Sequence, residues 1–324
     1  MASVVTFDAN TTLGIFEIGV LVSYVLLGVT ATQAYIYSSR FPDDSFRLKA
    51  LVAFVCLCEV AHAICLGHTL YAMTISDYGH PERVLGAVPK SFPTAVILSG
   101  IIGASVQGFF SSRIYRLSEK LCIPILCWTM SFLRVVLAIV VTVPLLRETS
   151  VPKYEVQWRW ALTAVWIVNT LNDLTIAVTL VIILIGRRKN VAHKRTTALV
   201  DKLILWTIET GMLTSVASMI TLACFIAMKD NFAWVAFFSV SARFISNSLL
   251  ANLNSRATLR AMDQVNMSLS FPTMGMPASN NVQMSKAGRD AGPEWARGPS
   301  ESVAAVDGLE LTLPNKSWSC EPSS

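Results

Sequence analysis

Long apolar runs separated by short polar breaks dominate the first 255 residues. Seven runs, 13–37, 48–73, 93–115, 121–146, 158–186, 203–228 and 232–253, are each bounded by charges, prolines or both. A helix needs ~20 mostly apolar residues to cross the hydrocarbon core, and each run reaches that length. Open strands are excluded, because unpaired backbone groups in lipid cost several kcal/mol each. A β-barrel is excluded as well: the runs are continuously apolar and lack the ~10-residue alternating segments of barrel strands. The pattern predicts an all-α, polytopic bundle of seven transmembrane helices, spans 1 to 7, occupying 13–255 behind a short external N-terminus at 1–12.

From about residue 256 the pattern changes. The tail to 324 is rich in Ser, Gly, Asn and Pro and has few large apolar residues. It is expected to be a disordered cytosolic segment. Even with this tail included, 53% of the chain is hydrophobic and 15% charged, far from the ~25% charge of soluble domains. The net charge of +5 is too small, and too scattered, to suggest a nucleic-acid partner. Its placement fixes orientation. Fourteen Lys and Arg fall on one side of the spans: in the breaks after spans 1, 3 and 5, and just after span 7. Six fall on the other side. The positive-inside rule then puts the N-terminus outside or in a lumen and the C-terminus in the cytosol. Trp158, Trp160 and Trp234 stand at span ends, where an interfacial aromatic belt is expected. Residues before 13 lack Lys and Arg, so span 1 reads as a retained helix rather than a cleaved signal. Plasma membrane and endomembrane are not distinguished by these features.

Ionisable residues inside a bilayer are expensive, and are expected to face other helices and find partners there. Glu59 and His62 lie in the middle of span 2, Gln107 in span 3, Arg134 in span 4, Asp173 in span 5 and Arg243 in span 7. Two acids and two arginines make a formally neutral layer, with Glu59 expected to pair with one arginine and Asp173 with the other. Which arginine goes with which acid is left open. Glu59 and His62 are three residues apart and share a helix face. A proton relay or ligand contact is one reading of them, and plain interhelical hydrogen bonding the other. A second group, Arg113 of span 3, Glu209 of span 6 and the Asn247-Ser248 pair of span 7, is expected to form a lock at the cytosolic end. Gly100, Ala104, Gly108 and Ser112 recur every four residues in span 3. That stripe of small residues predicts close helix approach and a central place for span 3.

Several chemistries lack their residues. Four histidines, with His62 and His68 on different faces, give no zinc site. Two arginines at the level of the acids would keep both carboxyls ionised, unlike an aspartyl dyad. All ten lysines lie outside the span centres, so no retinal Schiff base is expected. No glycine-rich phosphate loop or nucleophile elbow is present. The expectation is a protein that is not an enzyme and needs no cofactor, with the lipid bilayer as its main partner.

Four segments carry a family resemblance. Span 2 and its exit read Glu59-Val-Ala-His62, His68, Tyr71 and Asp77-Tyr78-Gly79-His80-Pro81. Span 3 ends Gln107-Gly108-Phe109-Phe110-Ser111-Ser112-Arg113-Ile114-Tyr115-Arg116. Span 6 holds Trp206-Thr207-Ile208-Glu209-Thr210-Gly211, and span 7 ends Ser246-Asn247-Ser248-Leu249-Leu250-Ala251-Asn252. On these residues the chain resembles the fungal, largely basidiomycete, seven-helix membrane proteins grouped as domain of unknown function 6534, most strongly over 173–256. The resemblance implies seven helices and a membrane location, and supplies no catalytic residues. Two functional readings stand beside a purely structural role. One is a receptor-like or sensory protein, whose basic loop 187–202, from Arg187 to Lys202, would meet a cytosolic partner. The other is a transporter or proton-coupled carrier using the midplane charges. The first lacks the Asn-Pro-x-x-Tyr motif of rhodopsin-type receptors, and the second lacks an internal repeat.

Overall fold

A computed structural model describes residues 8–84, 86–147, 150–189, 194–228 and 233–270. The expected disordered tail, 256–324, is corrected over its first part, since 256–270 is helix; the rest of it and the centre of the basic loop, 190–193, lie outside the described residues. Eight α-helices follow one another: α1 Ile15–Arg40, α2 Phe46–Tyr71, the short α3 Pro81–Val84, α4 Ser91–Ser118, α5 Cys122–Leu145, α6 Val151–Lys189, α7 Lys194–Ala227 and α8 Ala233–Ser270. No strand occurs among the described residues. All but α3 are long and apolar enough to cross a membrane, so spans 1 to 7 are α1, α2, α4, α5, α6, α7 and α8.

Several helices outrun the apolar segments that predict them. Helix α6 starts before residue 158 and α7 before 203, while α8 continues past 253 to Ser270. Hydropathy marks where a helix meets lipid; the backbone hydrogen-bond ladder continues until something breaks it. In α8 neither Gly nor Pro occurs between 233 and 270. Pro152 sits at the second position of α6, within the first turn, where a missing N–H costs little. Helix α4 closes on Glu119, whose φ of 57° is left-handed and whose N–H bonds the Tyr115 carbonyl at 2.9 Å. This C-cap geometry usually belongs to glycine. It turns the chain tightly into α5.

The bundle is apolar outside as well as inside. Val25, Leu57, Ile64, Phe132 and Ile182 are among many large apolar side chains that face outward, as lipid contact requires and water would not tolerate over such an area. Inside, one apolar cluster gathers Phe16, Val20, Leu66, Phe92, Trp166 and Phe238 at the end of the bundle holding the start of α1. Another gathers Tyr37, Val55, Ile102, Leu249 and Leu253 toward the opposite end. Buried polar residues lie between them along α1, α2 and α8.

Two helices form the spine. Helix α4 packs against α2, α5, α6 and α8, and α8 against α1, α2, α4 and α7. Of the two, α8 is the more enclosed: 72% of its apolar window is buried, against 44% in α4. The central place expected for span 3 is therefore shared with span 7. The small-residue stripe also works differently from expectation. A Cβ at Gly100 would meet Ala138 of α5 at 3.2 Å, but one at Gly108 would meet nothing within 4 Å. The tight position is Gly103, off the stripe, where the Arg134 guanidinium fills the space of a side chain.

Helices α1 and α8 run parallel and repeat their contacts every seven residues. Asn247 donates to the Leu26 carbonyl at 3.3 Å and Asn254 to the Gln33 carbonyl at 2.9 Å. A seven-residue repeat is the register of left-handed helix pairs. Farther along, Gly19 lets the backbones touch: a Cβ there would stand 2.6 Å from the Ala236 Cα. Replacing Gly19 with Leu is therefore expected to force the two helices apart and cost about 1–3 kcal/mol, typical of overpacking. Gly28, on the same helix with nothing within 4 Å of its added Cβ, is the control. In thermal unfolding of the purified protein, Gly19→Leu should lower Tm and Gly28→Leu should leave it in place.

Candidate functional site

The six polar residues expected in one layer fall into two separate clusters. The first joins α1, α2 and α8. Arg243 of α8 and Glu59 of α2 form an ion pair with both side chains fully buried. The guanidinium spends its other donors on the same two neighbouring helices. Its Nε donates to Ser23 Oγ at 3.0 Å, its Nη1 to the Glu59 carbonyl at 2.9 Å, and its Nη2 lies 3.3 Å from His62 Nδ1. Ser246, three residues on from Arg243, donates to Glu59 Oε1. The His62 ring stands edge-on to Phe238 with centroids 6.1 Å apart. An arginine satisfied on this many sides can stay charged in a medium where a bare guanidinium could not.

The second cluster joins α4, α5, α6 and α7. Gln107 is its centre. Its Nε2 donates to Asp173 Oδ1 at 2.8 Å and to Asn169 Oδ1 at 3.2 Å, while its Oε1 accepts from Asn172 at 2.9 Å and Ser131 at 3.1 Å. Arg134 donates to Asn169 Oδ1, and more weakly to the Ser99 carbonyl at 3.5 Å. Asn169 in turn donates to Ser218 of α7 at 3.1 Å. Arg134 and Asp173 are thus linked through Asn169 and Gln107. The acids and arginines sort themselves: Glu59 goes with Arg243, Asp173 with Arg134.

Asn169, Asn172, Ser131, Ser218 and Ser23 were not singled out from sequence, whereas Ser246 opens the span 7 segment that carries the family resemblance. Asn169, Asn172 and Asp173 do carry a signal, since their i, i+3, i+4 spacing places three polar groups on one face of an apolar helix. The serines carry none, because an isolated serine is ordinary in a membrane helix.

The expected cytosolic lock does not form. Arg113 donates to Asn252 of α8 at 2.7 Å rather than meeting Glu209 or Asn247-Ser248. Asn247 is spent on α1, and Ser248 donates to the Ile245 carbonyl of its own helix at 2.7 Å. Glu209 is exposed and borders a groove of about 560 Å³ between α1, α7 and α8, alongside Gln33, Arg40, Trp206 and Asn254. Sequence gives its depth correctly and its direction wrongly: Arg113 approaches α8 from α4, while Glu209 looks out between α7 and α1. The ties at this end are different ones. Arg256 of α8 grips Asp44 of the α1–α2 turn at 2.5 and 3.3 Å and lies 4.4 Å over the Phe41 ring. Tyr37 donates to the same carboxylate at 3.0 Å. Arg187 donates to the Leu117 carbonyl at the end of α4, at 2.8 Å, and Arg188 pairs with Asp201 at 2.5 Å.

Cavities flank the second cluster on both sides. One of about 60 Å³ lies toward the end of the bundle holding the start of α1. Arg134 and Asn169 border it, together with Phe92, Trp166, Trp234 and Phe238. A smaller one of about 40 Å³, between α4, α6, α7 and α8, is bordered by Gln107, Asp173, Thr207, Thr214 and Ser248. Asp173 Oδ2 has no hydrogen-bond partner among the described residues. No group of three or more His, Cys, Asp or Glu among the described residues could hold a metal ion.

Breaking the Arg243–Glu59 pair from one side should cost far more than removing it whole. Arg243→Met leaves a buried carboxylate unmatched and is expected to destabilise by about 3–5 kcal/mol. Adding Glu59→Gln to that variant should recover much of the loss. Denaturant unfolding of the two variants checks this, and a double variant less stable than the single one would refute it.

Against known families, residues 169–258 match the family of unknown function DUF6534. The matched segment runs from Asn169 of α6 through α7 and into α8 as far as residue 258. It contains Asp173 and Arg243, whereas their partners Arg134 and Glu59 lie on earlier helices. Neither the curated proteins nor the solved structures offered a match to this chain. The chain is a multi-pass, seven-helix membrane protein carrying a domain of unknown function at 169–258.

Proposed function

We propose that this is a receptor-like, sensory membrane protein rather than an enzyme. Its N-terminus lies outside or in a lumen, and its C-terminus in the cytosol, as the bias of fourteen against six basic residues supports. The wider likeness to fungal seven-helix proteins belongs to the same reading. The observation that carries it is the aromatic-lined cavity with Arg134 and Asn169 on its floor. A mostly apolar cavity with a few converging polar groups is the usual form of a small-molecule site. Those polar groups are the first links of a hydrogen-bonded chain through Gln107 to Asp173, which borders a cavity on the far side. A ligand contact at one end of the bundle can therefore bias helix positions at the other. The basic loop from Arg187 to Lys202 is the proposed contact for a cytosolic partner. A labelling enzyme fused to the C-terminus tests orientation and partner together. Cytosolic proteins should be labelled, and neutralising the loop's basic residues should remove a defined subset of them. Labelling confined to the outer side, or unchanged by the loop variant, would sink the proposal.

One observation favours the carrier reading as a second possibility. Arg134 and Asp173 border cavities on opposite sides of the same network, and ionisable groups placed so within a membrane are the usual parts of proton relays. That reading requires proton flux into vesicles containing the purified protein, and its loss in Asp173→Asn. Vesicles that hold a pH gradient as well as protein-free ones do would rule it out.

A further inference from the structure

The cavity beside Arg134 is chemically lopsided. Its wall is almost wholly apolar, and an adjoining space of about 50 Å³ shares Phe92, Leu145, Tyr154, Leu162 and Trp234 with it. Two polar side chains of α5 reach it. One is Arg134, a planar fork of five N–H donors, of which Nη1 is taken by Asn169 while Nη2 has only the long bond to Ser99. The other is Thr142, which is 1% exposed and whose Oγ1 has no hydrogen-bond partner among the described residues. Thr142 is eight residues beyond Arg134, about two turns along the same helix face.

Charge selects the ligand class. Arg134 is already balanced by Asp173 through the Asn169–Gln107 bridge. An anionic ligand would bring an uncompensated charge into a nearly dry site, and a cation would meet the guanidinium; both pay heavily for desolvation. A neutral acceptor does neither. It takes the spare donor of Arg134 while its apolar body lies against the aromatic wall. We propose that this cavity binds a small, uncharged, apolar molecule with a carbonyl or similar hydrogen-bond acceptor. The carbonyl accepts from Arg134, and the far end of the molecule lies toward Thr142. The volume favours a short chain, since a cavity that admits benzene measures ~150 Å³. The proposal rests on the receptor reading's choice of this cavity as the ligand site.

The test uses the full chain, purified in detergent, with acetone, acetate and propane as probes, each smaller than benzene. A ligand that binds only the folded state raises Tm in a saturable way. Acetone should do so, with acetate needing a roughly tenfold or higher concentration for the same shift and propane giving a smaller shift. Val96 borders the cavity and makes none of the network's hydrogen bonds, so Val96→Phe fills the space while removing no network partner. It should abolish the ketone shift. A shift that survives Val96→Phe, equal shifts from acetone and propane, a stronger shift from acetate, or no shift from any probe each overturns the proposal. Ketone binding without loop-dependent labelling of cytosolic proteins would keep this site and sink the receptor reading; the reverse result would do the opposite.

Discussion

A guanidinium buried in a lipid-embedded bundle must be surrounded by acceptors, and the arrangement of this bundle follows from how that demand is met at Arg243. Its partners are Ser23 on α1, and Glu59, the Glu59 carbonyl and His62 on α2. Three helices must therefore meet at one depth and with fixed rotations about their axes. Once α1 and α8 are held there, the seven-residue repeat of Asn247 and Asn254 sets their mutual register along the rest of their length. Gly19 is required where the two backbones converge beyond it. Apolar packing drives none of this by itself, since lipid tails are as apolar as the side chains facing them. Direction comes from the polar groups.

The bundle accordingly has two unlike halves. Around Arg243 the ion pair, Ser23, Ser246 and the Nδ1 edge of His62 close on one another, although His62 Nε2 has no hydrogen-bond partner among the described residues. Around Gln107 the polar groups border cavities on two sides, and the amides of Asn169 and Asn172 carry hydrogen bonds between α4, α5, α6 and α7. A fully paired ion pair favours a single arrangement. The chain of amides beside those cavities leaves Asn172 Oδ1 and Asp173 Oδ2 without hydrogen-bond partners among the described residues, and in a low-dielectric interior each missing bond is costly. Helices α4 and α8 meet between these halves and belong to one each.

Much of this was legible in the sequence, for an identifiable reason. Length and hydropathy fix the seven spans, because a bilayer sets both. The rare charges Glu59, Arg134, Asp173 and Arg243 stand out because an apolar run has no other use for them. What the sequence hides is azimuth. Depth can be counted off residue by residue, but the direction in which a side chain leaves its helix depends on how that helix is rotated in the bundle. The Glu209 lock failed on this point: its depth matched Arg113, while its face did not. The same ignorance merged two clusters into one expected layer. Helix ends were misjudged because hydropathy falls at the membrane surface, whereas α8 keeps its backbone hydrogen bonds out to Ser270. The clasp of Arg256 on Asp44 was hidden because a charge pair at the membrane surface looks, in sequence, like any other loop charges.

Helix α8 is one unbroken rod of 38 residues, roughly 57 Å long at 1.5 Å per residue. Arg243 pins it about a quarter of the way along, beside the aromatic wall that Phe238 shares with the cavity. About 40 Å of helix lies beyond that pivot. The mechanics are those of an unequal lever: a tilt of about 5° would move side chains near Phe238 by well under 1 Å, and the far tip by roughly 3.5 Å. A small displacement of the short arm is thus a large one at the tip of the long arm. The Arg256–Asp44 clasp sits partway along that long arm, where it works as a brake on the swing.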